Sequence, residues 1–281
     1  MAGKRPTVRH RRLCAELQRL RERAEVPSEV VLKETGWSRA RMSRKENAEV
    51  TISPSEVRDL CRIYGADVDR TEWLTDLSRR IRAQGWWVAY SDVLTDAMAD
   101  YVELECEAAE IRYFEVDVIP GLLQTERYAR ELFAARDASV PSAALQRRAE
   151  MRLRRQDRIS SGGVVLSAVI DETAIHRAFH SPAGEQQIDH LLAVSEQSNV
   201  TVQLLPLDAG LHAASGAPFT WLGFPQFYQP VVWLDSLAGS LWIEEDSQVC
   251  DYDSTHARLT DIALNPSESK RLIRRLMKEA Q

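Results

Sequence analysis

Ser28–Glu46 reads SEVVLKETGWSRARMSRKE, and this stretch decides how the N-terminal region folds. Two short helical segments flank Gly36, a residue suited to the positive φ of a tight hinge. Pro27 stands near the start of the first segment, about Ser28–Thr35. Ser38 is a good N-cap for the second, which runs to about Glu46. The first turns of that second helix carry Arg39, Arg41 and Arg44. Met42 faces the other way and packs inward, and Trp37 sits in the hinge. A short helix held like this fits the major groove with its N-terminal end toward the base edges. Arginine forks match guanine O6 and N7, whereas Ser38, Ser43 and the first backbone amides suit phosphate oxygens.

The flanking sequence supplies the rest of a helical domain. Leu13, Leu17, Leu20 and Ala24 recur at helical spacing over about Val8–Ala24. Ser53-Pro54-Ser55-Glu56 has the form of a capping box. It opens a helix with the stripe Val57, Leu60, Cys61 and Tyr64, ending at Gly65. A fifth helix carries Trp73, Leu74, Leu77 and Ile81. The expectation is an all-α, five-helix helix-turn-helix domain over residues 1–82.

With 281 residues the chain is long enough for a second domain, expected over residues 93–281 after a polar segment. Helices are predicted at about Val93–Glu107, Leu122–Phe133, Pro141–Ile159, Pro182–Asn199, Ser254–Leu264 and Pro266–Glu279. Strands are predicted at about Ile111–Ile119, Val164–Ile170, Val200–Pro206, Phe219–Phe224, Val231–Leu234 and Ser240–Glu244. This pattern is α+β, with an antiparallel sheet.

Charge separates the two regions. Residues 1–45 hold 13 Lys and Arg against five acids, a local charge of +8, and the other 236 residues carry −14. A basic head on an acidic body points to a nucleic-acid-binding domain joined to a different module. No apolar stretch follows the basic N-terminus as in a signal peptide, and no run reaches the length of a membrane span. Cys14 and Cys61 fall at apolar helix positions and read as buried thiols, so a reducing, cytoplasmic setting is expected.

No catalytic, metal or cofactor motif stands out. His176 and His180 are four apart, but Ser181-Pro182 ends their element and no glutamate completes a metalloprotease pattern. Asp171-Glu172 and Glu244-Glu245-Asp246 read as solvated faces or strand ends. The protein is therefore expected not to be an enzyme. Phe219–Trp242 is rich in aromatic residues, which suit either a sheet core or a docking or ligand surface. Trp221, Phe227, Tyr228 and Trp233 are the candidates for partner or ligand contact. Phe227 and Tyr228, in a loop between Pro225 and Pro230, are expected to be exposed. The arginines between Arg147 and Arg158 are expected to pair with acids of their own domain.

Two motifs carry a family resemblance. Gly36–Glu46, GWS-x-x-x-x-SR-x-E, resembles the Xre/Cro-repressor type of helix-turn-helix. Ile119–Thr125, IPGLLQT, with Tyr128-Ala129-Arg130 after it, looks like the signature of a domain of unknown function that follows such a helix-turn-helix in many actinomycete regulators. Arg155-Gln156, the Asp171-Glu172 strand end and VTVQLLPL at Val200–Leu207 agree with it. The resemblance implies a transcription factor binding double-stranded DNA, with Ser38–Glu46 as recognition helix and Asn47 ending it near the DNA backbone. It also implies a small, often neighbour-encoded protein partner in a toxin–antitoxin-like pair. A homodimer is expected, because helix-turn-helix proteins usually engage two half-sites.

The family usually has leucine where this chain has Thr35, alanine at Leu32, an aliphatic residue at Lys45 and a capping serine or threonine at Pro27. These departures predict weaker packing at Thr35 and a Lys45 that must snorkel to solvent. They leave a second reading open, in which a degenerate helix-turn-helix serves a protein–protein regulator.

Overall fold

The computed structural model describes residues 6–81, 85–225 and 228–279. The chain divides into two units, residues 1–88 and 89–281, each with its own helices and core.

In the first unit, local capping decides where helices begin. The helices are α1 (Val8–Arg23), α2 (Ser28–Thr35), α3 (Arg39–Glu46), α4 (Pro54–Tyr64) and α5 (Val68–Arg80). Thr7, Ser38, Ser53 and Asp67 each accept a backbone N–H of the first turn that follows. Ser53 and Glu56 form the full reciprocal capping box, with the Ser53 amide donating to Glu56 at 2.8 Å. Gly36 ends α2 in the left-handed conformation at φ 68°, which a side chain would disfavour. Leu13, Val31, Met42, Val57, Leu60 and Leu74 are buried. Cys14 and Cys61 are buried too. Burial pushes the Cys14 thiol up to about 12, and it donates to the Lys45 carbonyl at 3.0 Å.

Lys45 departs from what was expected, and Thr35 is tied in by hydrogen bonds. Thr35 Oγ1 donates to the Val31 carbonyl at 2.7 Å and accepts from the Trp37 amide at 3.3 Å, so the hydroxyl ties the hinge together. Lys45 does not snorkel, because α4 brings it a partner. Its ammonium donates to Glu56 at 2.8 Å and to the Thr51 carbonyl at 2.9 Å, and it lies 5.0 Å from the Trp37 ring centre. Burial pushes the Glu56 carboxyl up, but Lys45 and the Ser53 amide outweigh it and hold it below its ordinary value. A depressed folded-state value means that this stabilisation is complete above the ordinary carboxylate range and is lost as pH falls through the folded value. Lys45→Ala is expected to destabilise this unit by roughly 1.5–3 kcal/mol, the scale for losing hydrogen bonds to a charged group, and Lys45→Leu by less. Chemical denaturation at neutral pH checks the order; equal stability of parent and Lys45→Ala would contradict it.

The second unit is α+β. Its elements are α6 (Asp96–Glu105), β1 (Glu110–Glu115), α7 (Glu126–Arg136), α8 (Ser142–Arg155), α9 (Asp157–Ser160), β2 (Val165–Asp171), α10 (Glu172–Phe179), α11 (Gly184–Val194), β3 (Val200–Leu205), β4 (Phe219–Gly223), β5 (Val231–Ser236), β6 (Gly239–Ile243), α12 (Asp246–Ile262) and α13 (Pro266–Glu279). One sheet has the order β3-β2-β1-β4-β5-β6.

The sheet is mixed, which corrects the antiparallel expectation. β1, β2 and β3 pair in parallel, while β1, β4, β5 and β6 pair antiparallel. Helices lie between β1 and β2 and between β2 and β3, and such crossovers are what parallel neighbours require. The β5–β6 pair closes tightly at Gly239, φ 134°.

Register sorts side chains between the two faces. Tyr113, Thr220, Trp233 and Trp242 stand opposite one another along one face. On the other, Phe114, Val169, Phe219, Trp221 and Val232 pack with Val249 and Leu259 of α12.

His256 of α12 is buried against this second face, 6.5 Å from the Phe219 ring. Burial first, then the Arg112 cation, lowers its pKa from 6.5 to about 4, against the opposing pull of Asp253 and Glu110. The folded chain therefore resists protonation that the unfolded chain accepts. The stability contributed by neutral His256 is complete above about pH 6.5 and is lost as pH falls toward about 4. Urea midpoints are expected to fall across that window in the parent and less so in His256→Phe. Parallel pH profiles for the two would contradict this assignment.

Candidate nucleic-acid interface

The two faces of α3 differ sharply. Met42 and Lys45 are buried, whereas Ser38, Arg39, Arg41, Ser43, Arg44 and Asn47 are all exposed. Ser38 uses its hydroxyl to cap the helix, accepting from the Arg41 amide at 3.2 Å. Ser43 accepts from Asn47 Nδ2 at 3.3 Å. Arg44 reaches back to the Ala40 carbonyl at 3.4 Å, a long contact that holds it weakly.

Arg39 and Arg41 are accessible but engaged. Arg39, with 80% of its side chain exposed, donates to Glu29 of α2 at 2.9 Å. Arg41, 51% exposed, donates to Glu56 of α4 at 2.9 Å and lies 5.5 Å from the Trp37 ring centre. Exposed pairs of this kind contribute about 0–1 kcal/mol. A bidentate guanine contact discriminates by about 1–3 kcal/mol. Pairs this weak leave both guanidinium groups able to change partners. Glu29 was not singled out by sequence reasoning, and Glu56 was read only as a capping residue. Their partners lie 10 and 15 residues away, beyond the reach of local pattern.

The aromatic candidates of the second unit do not form one surface. Trp221 is buried on the α12 side, with the Arg112 guanidinium 4.4 Å from its ring centre. Trp233 is buried on the opposite face, 5.2 Å from Tyr101 and 4.5 Å from Trp242. Tyr228 is half-buried, its ring 5.0 Å from that of Phe224, so it is not the exposed anchor expected. Phe227 lies outside the described residues.

A cavity of about 400 Å³ opens at the carboxyl end of β1, lined among others by Tyr101, Tyr113, Glu115, Gln124, Arg152 and Trp233. The PGLLQT segment forms one wall. Leu122, Leu123 and Tyr128 are buried in the core. Gln187 clamps the segment by donating to the Leu123 carbonyl and accepting from the Thr125 amide, both at 2.7 Å. Gln124 Nε2 donates to the Ile119 carbonyl at 2.7 Å, and its Oε1 accepts from Arg152.

Arg147 and Arg155 of α8 pair with acids of their own unit, as expected for the arginines between Arg147 and Arg158, whereas Arg152 and Arg158 bond uncharged partners. Arg147 pairs with Asp92 at 2.8 Å, and Arg155 with Glu105 through bonds of 2.7 and 2.5 Å. Arg158, in α9, donates to the backbone carbonyls of Glu105, Ala108 and Gly163. His176 lies 3.3 Å from Glu172, and His180 follows the end of α10. Among the described residues no group of three or more His, Cys, Asp and Glu could hold a metal ion, and no helix is long and apolar enough to cross a membrane.

A family model described as a helix-turn-helix domain matches residues 12–74, and one described as a domain of unknown function, DUF5753, matches residues 98–275. No curated protein and no solved structure matches the chain. Fold and site together define a protein that joins a helix-turn-helix DNA-binding domain to an α+β domain with a mixed six-stranded sheet. The chain belongs to the DUF5753 family.

Proposed function

We propose that this chain is a cytoplasmic, non-enzymatic transcriptional regulator of the Xre/Cro type. Residues 1–82 bind double-stranded DNA as a homodimer, and residues 93–281 modulate that binding through a small ligand or a small neighbour-encoded protein. The observation that carries this reading is the outward face of α3, where Ser38, Arg39, Arg41, Ser43, Arg44 and Asn47 are exposed together. Arg39 and Arg41 read bases, Arg44 and the serines meet phosphates, and Met42 and Lys45 fix the helix to its core.

A second reading is favoured by one observation, the pairing of Arg39 with Glu29 and of Arg41 with Glu56. In that reading the helix-turn-helix is a docking module within a toxin–antitoxin-like pair.

Salt dependence separates the two. Phosphate contacts release counterions, so the logarithm of DNA affinity falls linearly with the logarithm of salt, by about 0.9 per phosphate neutralised. Titration of the full chain with duplex DNA is expected to show such a slope. An affinity indifferent to salt, or no binding at low salt, supports the docking reading instead.

A further inference from the structure

Arg152 is a buried cation that the protein does not neutralise. The residue is 8% exposed and lines the cavity at the end of β1. Among the described residues it forms no ion pair. Its Nη1 donates to Gln124, and its Nε is buried without a hydrogen-bond partner. Its guanidinium carbon lies 4.3 Å from the Phe133 ring centre. Gln124 cannot swing away, because its amide is committed to the Ile119 carbonyl.

The other charged groups around the cavity are accounted for. Arg155 is neutralised by Glu105, Arg136 pairs with Asp235 at 3.1 Å, and Asp117 pairs with Arg177 at 3.1 Å. Glu115 remains. Burial pushes its carboxyl up to about 8 despite the pull of Arg152, and it forms no ion pair with Arg152 among the described residues. Arg152 is thus the lining cation that no carboxylate bonds among the described residues. An uncompensated buried cation is costly, and a carboxylate taking the fork of a guanidinium relieves that cost with directional bonds. Met98, Leu132 and Trp233 give the cavity apolar and aromatic walls beside polar ones such as Thr220, and about 400 Å³ suits a small molecule.

We propose that this cavity binds a small organic monoanion, a carboxylate on an apolar or aromatic body, with Arg152 as its charge partner and Gln124 of the PGLLQT segment holding Arg152 in place. One uncompensated cation fits a monoanion and disfavours a phosphate dianion. The inference deepens the ligand-modulation reading above, but the binding step does not depend on DNA.

The test uses the full chain labelled with ¹³C at the methionine methyls. Met98 lines the cavity, and Met42 in the helix-turn-helix serves as internal control. Phenylacetate and hexanoate, added at millimolar concentration, are expected to shift the Met98 signal while leaving Met42 in place. Phenylacetamide, which has the same shape without the charge, is expected to bind at least about tenfold more weakly, the scale of a lost charge-assisted hydrogen bond. Arg152→Gln is expected to erase the preference for acid over amide. The acid–amide comparison in the parent protein stands even if that variant fails to fold. No Met98 shift with either acid, equal affinity for the amide, or tighter binding of inorganic phosphate would overturn the proposal. A Met98 shift in a protein that binds no DNA would leave this site standing and sink the regulator reading alone.

Discussion

Replacing Arg39, Arg41 and Arg44 together with alanine is expected to abolish selective binding to an operator duplex while leaving the fold intact. All three side chains are exposed and sit on a helix whose cap, Ser38, and inward residues, Met42 and Lys45, are untouched. Helical content and melting temperature should therefore change little. Two bidentate base contacts together sustain roughly 2–6 kcal/mol of discrimination, between about thirtyfold and more than ten-thousandfold in affinity. Breaking the Arg39–Glu29 and Arg41–Glu56 pairs subtracts no more than about 1 kcal/mol each, so the base contacts dominate. Single changes should divide by role: Arg39→Ala and Arg41→Ala relax sequence preference, whereas Arg44→Ala lowers affinity for all sequences alike. Footprinting checks this, and a triple variant that protects its operator as well as the parent contradicts it.

The largest effect expected on stability is in the second unit. Arg155 and Glu105 each keep only 3% of their side chains exposed. Burial alone would push the Arg155 guanidinium down, and the Glu105 carboxylate outweighs it and holds it up. Arg155→Ala leaves Glu105 as a buried carboxylate without its cation, at a cost of roughly 3–5 kcal/mol. At about 2–4 °C per kcal/mol for a domain of this size, the melting transition should fall by roughly 6–20 °C. The double change Arg155→Met with Glu105→Gln removes both charges and should recover most of that loss. A single variant that melts within a degree or two of the parent would show that the pair does not stabilise this unit.

The helix-turn-helix was legible in the sequence because its signals are local. Ser38 and Ser53 act on amides of the turn that follows, and Gly36 and Gly65 take the left-handed backbone that ends a helix. Each signal spans three or four residues. What the first unit concealed was tertiary: Lys45 looked like a misplaced charge until α4 supplied Glu56.

In the second unit the strands were legible but their order was not. β1 runs between β2, 55 residues on, and β4, more than 100 residues on, and no local pattern encodes that choice. The short helix α10, opened by Asp171, was not anticipated, although the longer helix between the same two strands was, as α11. α12 begins at Asp246, well before the predicted Ser254, because its first turns are polar. The cavity was hidden for the same reason. Arg152 read as one cation in a basic helix, and Gln124 as part of a turn motif 28 residues earlier.

In the proposed function, α3 enters a groove of DNA and reads it. Selection of bound sequences from a pool of random duplexes by the full chain tests it most directly. One enriched motif is expected, guanine-containing and repeated in two half-sites about one helical turn apart, that is lost when Arg39 and Arg41 are replaced. A pool that stays random through successive rounds would contradict it.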